Sequence, residues 1–186
     1  MRPIAAVVLV ALLPSLAQAD VVNGDFELGA TGWLIDNPQN WITEFPTDGG
    51  NPTRYGRVRS PALNSGGIGM LGQQFFCGQA DDSTGCRITF DYKIDFLDAL
   101  TGSARIQVQV GDEILYTGPS ATTGGILWRN VEIPLPTCGL KTLYLILQVD
   151  DGNNAWWACF DNVAGDCQAV PVEPITWGLI KSRHGL

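Results

Sequence analysis

The side chains able to do chemistry in this sequence are few. Its one histidine, His184, falls in the last few residues. Ser-His-Asp and Cys-His catalysis both need an imidazole held against the nucleophile, so neither is expected. No G-x-S-x-G, H-E-x-x-H or P-loop pattern occurs. The net charge is −8 with no basic patch. A nucleic-acid partner would need Lys and Arg against its phosphates and is not expected. Five cysteines, Cys77, Cys86, Cys138, Cys159 and Cys167, include no C-x-x-C spacing, which argues against a zinc site. In an exported chain their default fate is disulfides. Cys77 and Cys86 flank a polar loop, Gly78 to Gly85, and are the expected pair. Cys138 then pairs with Cys159 or Cys167, or those two pair together, and one thiol stays odd.

Six tryptophans are many for 186 residues. Trp157 shares its parity with Cys159 and Val163 and is expected to point inward, which turns Trp156 and Phe160 outward. Trp41 and Tyr55 fall in an irregular Pro/Gly/Asn segment, Asn37 to Ser65. Loops on a rigid scaffold carry binding more often than its core does. Trp41, Tyr55, Trp156 and Phe160 are therefore the candidate ligand-binding residues, against the plainer reading that they pack the long segment.

The elements that must position these residues read as strands. Ile88 to Phe96 alternates apolar and polar, as do Arg105 to Val110 and Leu143 to Val149. Further runs are Leu71–Phe76, Glu113–Tyr116, Trp128–Ile133 and Ala155–Val163, separated by Gly, Pro, Asn and Asp clusters. About eight short strands, each with one apolar face, must pack sheet on sheet. The fold expected is all-β, a sandwich of two antiparallel sheets with a short C-terminal tail.

At the N-terminus, Met1-Arg2, the apolar run Ile4 to Leu13 and Ala17-Gln18-Ala19 have the layout of a secretory signal peptide over residues 1–19. The run is about half of the ~20 residues that span a bilayer, so a membrane-spanning protein is not expected. The product is expected outside the cytoplasm, in the periplasm, in the medium or at the cell surface. The sandwich takes residues 20–168. Residues 169–186 form a Pro spacer, Val170 to Pro174, and an apolar, then basic, tail.

The opening Val22-Asn23-Gly24-Asp25-Phe26-Glu27 with Gly32-Trp33, and the closing Trp157-Ala158-Cys159-Phe160-Asp161-Asn162-Val163, resemble the ends of galactose-binding-like jelly rolls. These include several families of carbohydrate-binding modules of secreted bacterial proteins. Val110-Gly111-Asp112-Glu113 resembles their hairpin and Trp128-Arg129-Asn130-Val131 a middle strand. The resemblance covers residues 21–165. It implies a jelly-roll sandwich, places Trp33 in the core, and suggests a polysaccharide or surface glycan as partner. It also implies a structural calcium held by Glu27 and Asp161 with a carbonyl from around Gly24 or Asp25, a set of hard oxygens that suits the ion. Asp161 could instead cap a turn or pair with Arg54 or Arg57.

Lys93-Ile94-Asp95-Phe96-Leu97-Asp98 resembles the E-I-D-x-x-E strand of jelly-roll endoglucanases, whose two carboxylates flank the scissile bond. Lys93 stands at the nucleophile position, so the pair is broken and no catalysis is expected. Thr176-Trp177-Gly178-Leu179-Ile180-Lys181 is similar to endings on other secreted bacterial proteins, which suggests that the tail engages sorting or envelope machinery. The expected function is a secreted, non-catalytic carbohydrate-binding module. The alternatives are a structural or adhesive envelope protein without a ligand groove and, behind it, a jelly-roll glycoside hydrolase.

Overall fold

The computed structural model describes residues 21–38, 40–50, 53–61, 66–77, 86–97, 102–122, 127–137, 139–152 and 155–167. The expected signal peptide (1–19), the polar loop 78–85, Cys138 and the tail (169–186) lie outside the described residues. Among the described residues no helix is long and apolar enough to cross a membrane.

Ten strands run in the order β1 (Leu34–Ile35), β2 (Ile42–Glu44), β3 (Gly56–Arg59), β4 (Gly67–Cys77), β5 (Cys86–Leu97), β6 (Gly102–Val110), β7 (Glu113–Thr117), β8 (Arg129–Pro134), β9 (Gly139–Gly152) and β10 (Ala155–Cys167). They form two five-stranded antiparallel sheets, ordered β1-β4-β9-β6-β7 and β2-β3-β10-β5-β8. The expected all-β sandwich is the fold.

The core is built by the alternations read in the sequence. Ala104, Ile106, Val108 and Val110 of β6 are buried, as are Leu143, Leu145, Leu147 and Val149 of β9. From the other sheet Ile88, Phe90, Tyr92 and Ile94 of β5 meet them, because successive strand residues point to opposite faces. Strands β2 and β3 fall within the segment read as irregular, and β1 lies just before it. β3 carries a single apolar side chain, Val58, which leaves no alternation to detect.

The opening segment explains its own motif. Asn23 stitches the loop, its side-chain nitrogen donating to the Gly29 and Thr31 carbonyls and its oxygen accepting from the Leu28 amide. Gly24 is required because a Cβ there would overlap the Val163 carbonyl of β10. Trp33 donates from Nε1 to the Asn23 carbonyl at 3.0 Å, and its ring stacks on Phe26 with centroids 4.9 Å apart. Trp33 is buried, as the resemblance implied.

Among the described residues no disulfide is formed. Cys77 ends β4 in one sheet and Cys86 begins β5 in the other.

Candidate functional site

The aromatic rings are distributed differently from the expectation. Trp156 is 1% exposed and Phe160 0% exposed. Both face the core, Trp156 against Phe96 with centroids 5.1 Å apart and Phe160 against Phe90. The cause is a β-bulge. Asp161 pairs with Asp91, whereas Ala164 pairs with Thr89, so three steps on β10 match two on β5. Asn162 takes the extra position with φ 49°, a left-handed conformation that asparagine tolerates better than most residues. Parity flips across the bulge, so Phe160 and Val163 both point inward and counting back from Val163 inverts every side chain before it. The structure thus turns Trp156 and Phe160 in, and Trp157 out.

Trp41 is also taken into packing. Its ring lies over Gly67 and Gly69 of β4, where any Cβ on Gly69 would collide with it and with Val58 of the opposite sheet. It seals one edge of the sandwich and is partly buried against the core. Of the four candidates only Tyr55 stands on the outer face, and it is 6% exposed.

That outer face belongs to the sheet β2-β3-β10-β5-β8. Register places Ile42, Arg59, Trp157 and Asp95 in one row across β2, β3, β10 and β5, and Glu44, Arg57, Cys159 and Lys93 in the next. A third row holds Asp161, Asp91 and Asn130. Tyr55, just before β3, and Trp128, just before β8, meet edge to face at 5.8 Å. Trp157 and Trp128 are half-buried rings on this surface.

Charge and hydrogen bonding knit the face together. Lys93 Nζ stands 5.3 Å from the Tyr55 ring centre and 4.9 Å from that of Trp128, and it donates to the Gly49 carbonyl at 3.3 Å. Arg57 lies 5.8 Å from the Trp157 ring and donates from Nε to Glu44 at 2.8 Å. Asp91 accepts from the side-chain amides of Asn130 at 2.8 Å and Asn162 at 2.9 Å. Burial pushes the Tyr55 hydroxyl above its usual pKa, and Cys159 beneath it raises it further. Burial likewise pushes the Cys159 thiol up to about 12, which disfavours the thiolate. The face therefore offers flat apolar rings beside fixed charged and amide groups.

Lys93 and Asp95, from the sequence resembling an endoglucanase strand, both lie on this face, one toward Cys159 and one toward Trp157. Asp98 lies outside the described residues. A separate depression of about 490 Å³ lies between Val110–Leu115 and Pro136–Thr142, without an aromatic ring in its lining.

The residues nominated for calcium lie where the opening segment meets β10. The Gly24 carbonyl accepts from the Val163 amide at 2.9 Å. Glu27 accepts from the Thr53 hydroxyl and from the Arg54 amide at 3.1 Å, bonds that hold its carboxyl below its usual range. Arg54 is two residues before Gly56, which pairs with Phe160, so the chain beside Glu27 runs along the end of β10 that carries Asp161. Asp161 is 0% exposed. Arg57, the alternative partner for Asp161, pairs with Glu44. The donors available are hard oxygens, which suit calcium. Among the described residues no three His, Cys, Asp or Glu side chains converge, so a cation here would draw most of its ligands from carbonyls.

No family profile matches this sequence, and no curated protein does. Solved structures do match in fold. The carbohydrate-binding module TmCBM61, solved in complex with β-1,4-galactotriose, superposes with a TM-score of 0.53 at 16% identity, over 81% of this chain and 99% of that one. TmCBM27, described for specific mannan recognition, gives 0.51 at 15% identity over 75% and 91%. CBM28, described as specific for non-crystalline cellulose, gives 0.51 at 17% over 80% and 95%. At these identities the likeness establishes the fold. That fold is a β-sandwich, which these modules share.

Proposed function

We propose that this protein is a secreted, non-catalytic carbohydrate-binding module that lays a neutral, β-linked polysaccharide across the outer face of β2-β3-β10-β5-β8. The observation that carries this reading is the pair of half-buried rings, Trp157 and Trp128, on one face with Arg59, Lys93, Asp95 and Asn130 around them. The CH-rich face of a sugar packs on a flat ring, while charged and amide groups bond its hydroxyls. The solved modules of this fold that name galactan, mannan or cellulose fragments support the ligand class. Stacking is modest per ring, so micromolar to millimolar affinity is expected. Electrophoresis through gels containing galactan, mannan or amorphous cellulose tests it. Retardation on at least one, lost in Trp157→Ala with the fold intact, is the expected result. No retardation on any of them would leave the second reading, a structural or adhesive surface protein. That reading is favoured by the cations already seated on these rings.

A structural calcium at the junction of the opening segment and β10 belongs to the same proposal, held by Glu27 and Asp161 with carbonyls near Gly24 and Asp25. An ion that binds only the folded chain stabilises it by an amount that grows with the logarithm of its concentration above Kd. Chelator should lower the melting temperature of the native sequence and leave that of Glu27→Gln unchanged. An identical melt with and without chelator, in both proteins, would remove the ion.

A further inference from the structure

Strand register sets Cys86 opposite Cys167 and places Cys77 beside the two sequence neighbours of Cys138, and neither pairing is the one adjacent in the sequence. Cys86 opens β5 and Cys167 closes β10, and the two are direct partners in the antiparallel ladder. Opposed residues of such a ladder have Cα atoms about 4.5 or 5.5 Å apart, within the about 4.4–6.8 Å that a disulfide spans. At the end of the other sheet, Cys77 closes β4 opposite Gly139, the first residue of β9. The Cys77 Sγ lies 3.7 Å from the Thr137 carbonyl oxygen and 3.5 Å from that of Gly139. Cys138 is the residue between those two in the sequence. The fifth cysteine, Cys159, is wholly buried on the middle of β10, with Lys93 and Arg57 as its register partners and no cysteine opposite it.

We propose that the protein carries two disulfides, Cys86–Cys167 and Cys77–Cys138, and that Cys159 is its one unpaired thiol. Each bond staples neighbouring segments of a single sheet, the first pinning the end of the last strand and the second fixing the entry to β9. Both close loops far longer than one between Cys77 and Cys86 would, and by the chain-entropy account longer loops restrict the unfolded chain more. Each forms as two thiols give up two protons and two electrons and an S–S bond replaces two S–H bonds. Glutathione disulfide accepts the electrons and protons and leaves as two glutathione thiols.

The test is to fold the full-length chain with glutathione and glutathione disulfide, alkylate it in denaturant and map the peptides without reduction. Cleavage after Arg87, Arg129 and Lys141 and before Asp82, Asp161 and Asp166 separates all five cysteines. The expected result is one alkylated thiol per chain, on Cys159, with Cys86 linked to Cys167 and Cys77 to Cys138. The double variant Cys86→Ser/Cys167→Ser should retain the Cys77–Cys138 link alone, which shows the bonds form independently. A Cys77–Cys86 link, any link to Cys159, or five alkylated thiols would overturn the proposal.

Discussion

Adjacent tryptophans on β10 do opposite work, and mutation should separate them. Trp156 is enclosed in the core, so Trp156→Ala removes a large buried ring and leaves a cavity, a loss of about 3–5 kcal/mol. Trp157 packs only on Arg57 and its outer-face neighbours, so Trp157→Ala should lower stability by well under half that and abolish polysaccharide retention. Denaturant unfolding of both variants checks the first claim and gel retardation the second. Equal destabilisation by both would mean that Trp157 belongs to the core. Glu27 makes a prediction in pH. Its carboxyl is held below the usual 4.5 by the Thr53 hydroxyl, then by the Arg54 amide. A depressed folded-state pKa contributes stability above the unfolded pKa and loses it as pH falls through the folded one. Stability measured downward from about pH 5 should therefore fall more steeply for the native sequence than for Glu27→Gln. Parallel curves would show that these bonds add nothing.

Among the elements, β4 and β10 each carry a local feature that decides how a tryptophan is placed. On β4 the glycines at 67 and 69 leave the space that Trp41 fills. Gly69→Ala should destabilise the protein, because its methyl meets the Trp41 ring and Val58. In a Trp41→Ala background the same change should cost much less, since the obstacle is gone. A double-mutant cycle on melting free energies reads this coupling directly. Additive effects would mean that Trp41 does not occupy that space. On β10 the bulge at Asn162 decides which of two neighbouring tryptophans faces outward.

Taken whole, the molecule is a sandwich whose last described strand, β10, sits third of five in its sheet, between β3 and β5. Among the described residues Val163 is the last buried apolar side chain. We propose that residues 169–186 act as a sorting or envelope-attachment segment joined by the Pro spacer, the role suggested by the likeness of Thr176-Trp177-Gly178-Leu179-Ile180-Lys181 to other secreted endings. Deleting them should leave the thermal midpoint within a degree or two and change where the exported protein is found, such as release into the medium. A truncated chain that misfolds, or one that localises as before, would remove the idea.

Much of the fold was legible because alternation is local. A residue and its neighbour two along must share a face, so the runs in β5, β6 and β9 declare both strand and core side without reference to anything distant. Most of the opening motif was legible for the same reason, since Asn23, Phe26 and Trp33 are bonded to one another and to the loop between them. The candidate face was not. A single inserted residue at Asn162 reverses the parity of the seven β10 residues before it. A glycine pair on β4 turns Trp41 from surface to filler. Trp128 and Tyr55 become neighbours only when β8 and β3 join the same sheet. The cysteine partners likewise come from register between strands far apart in the chain. The sequence alone determined which segments are strands and which way most of them face the core. Only the tertiary structure decided which aromatics look outward, because that depends on how strands slip past one another, and no local pattern records the slip.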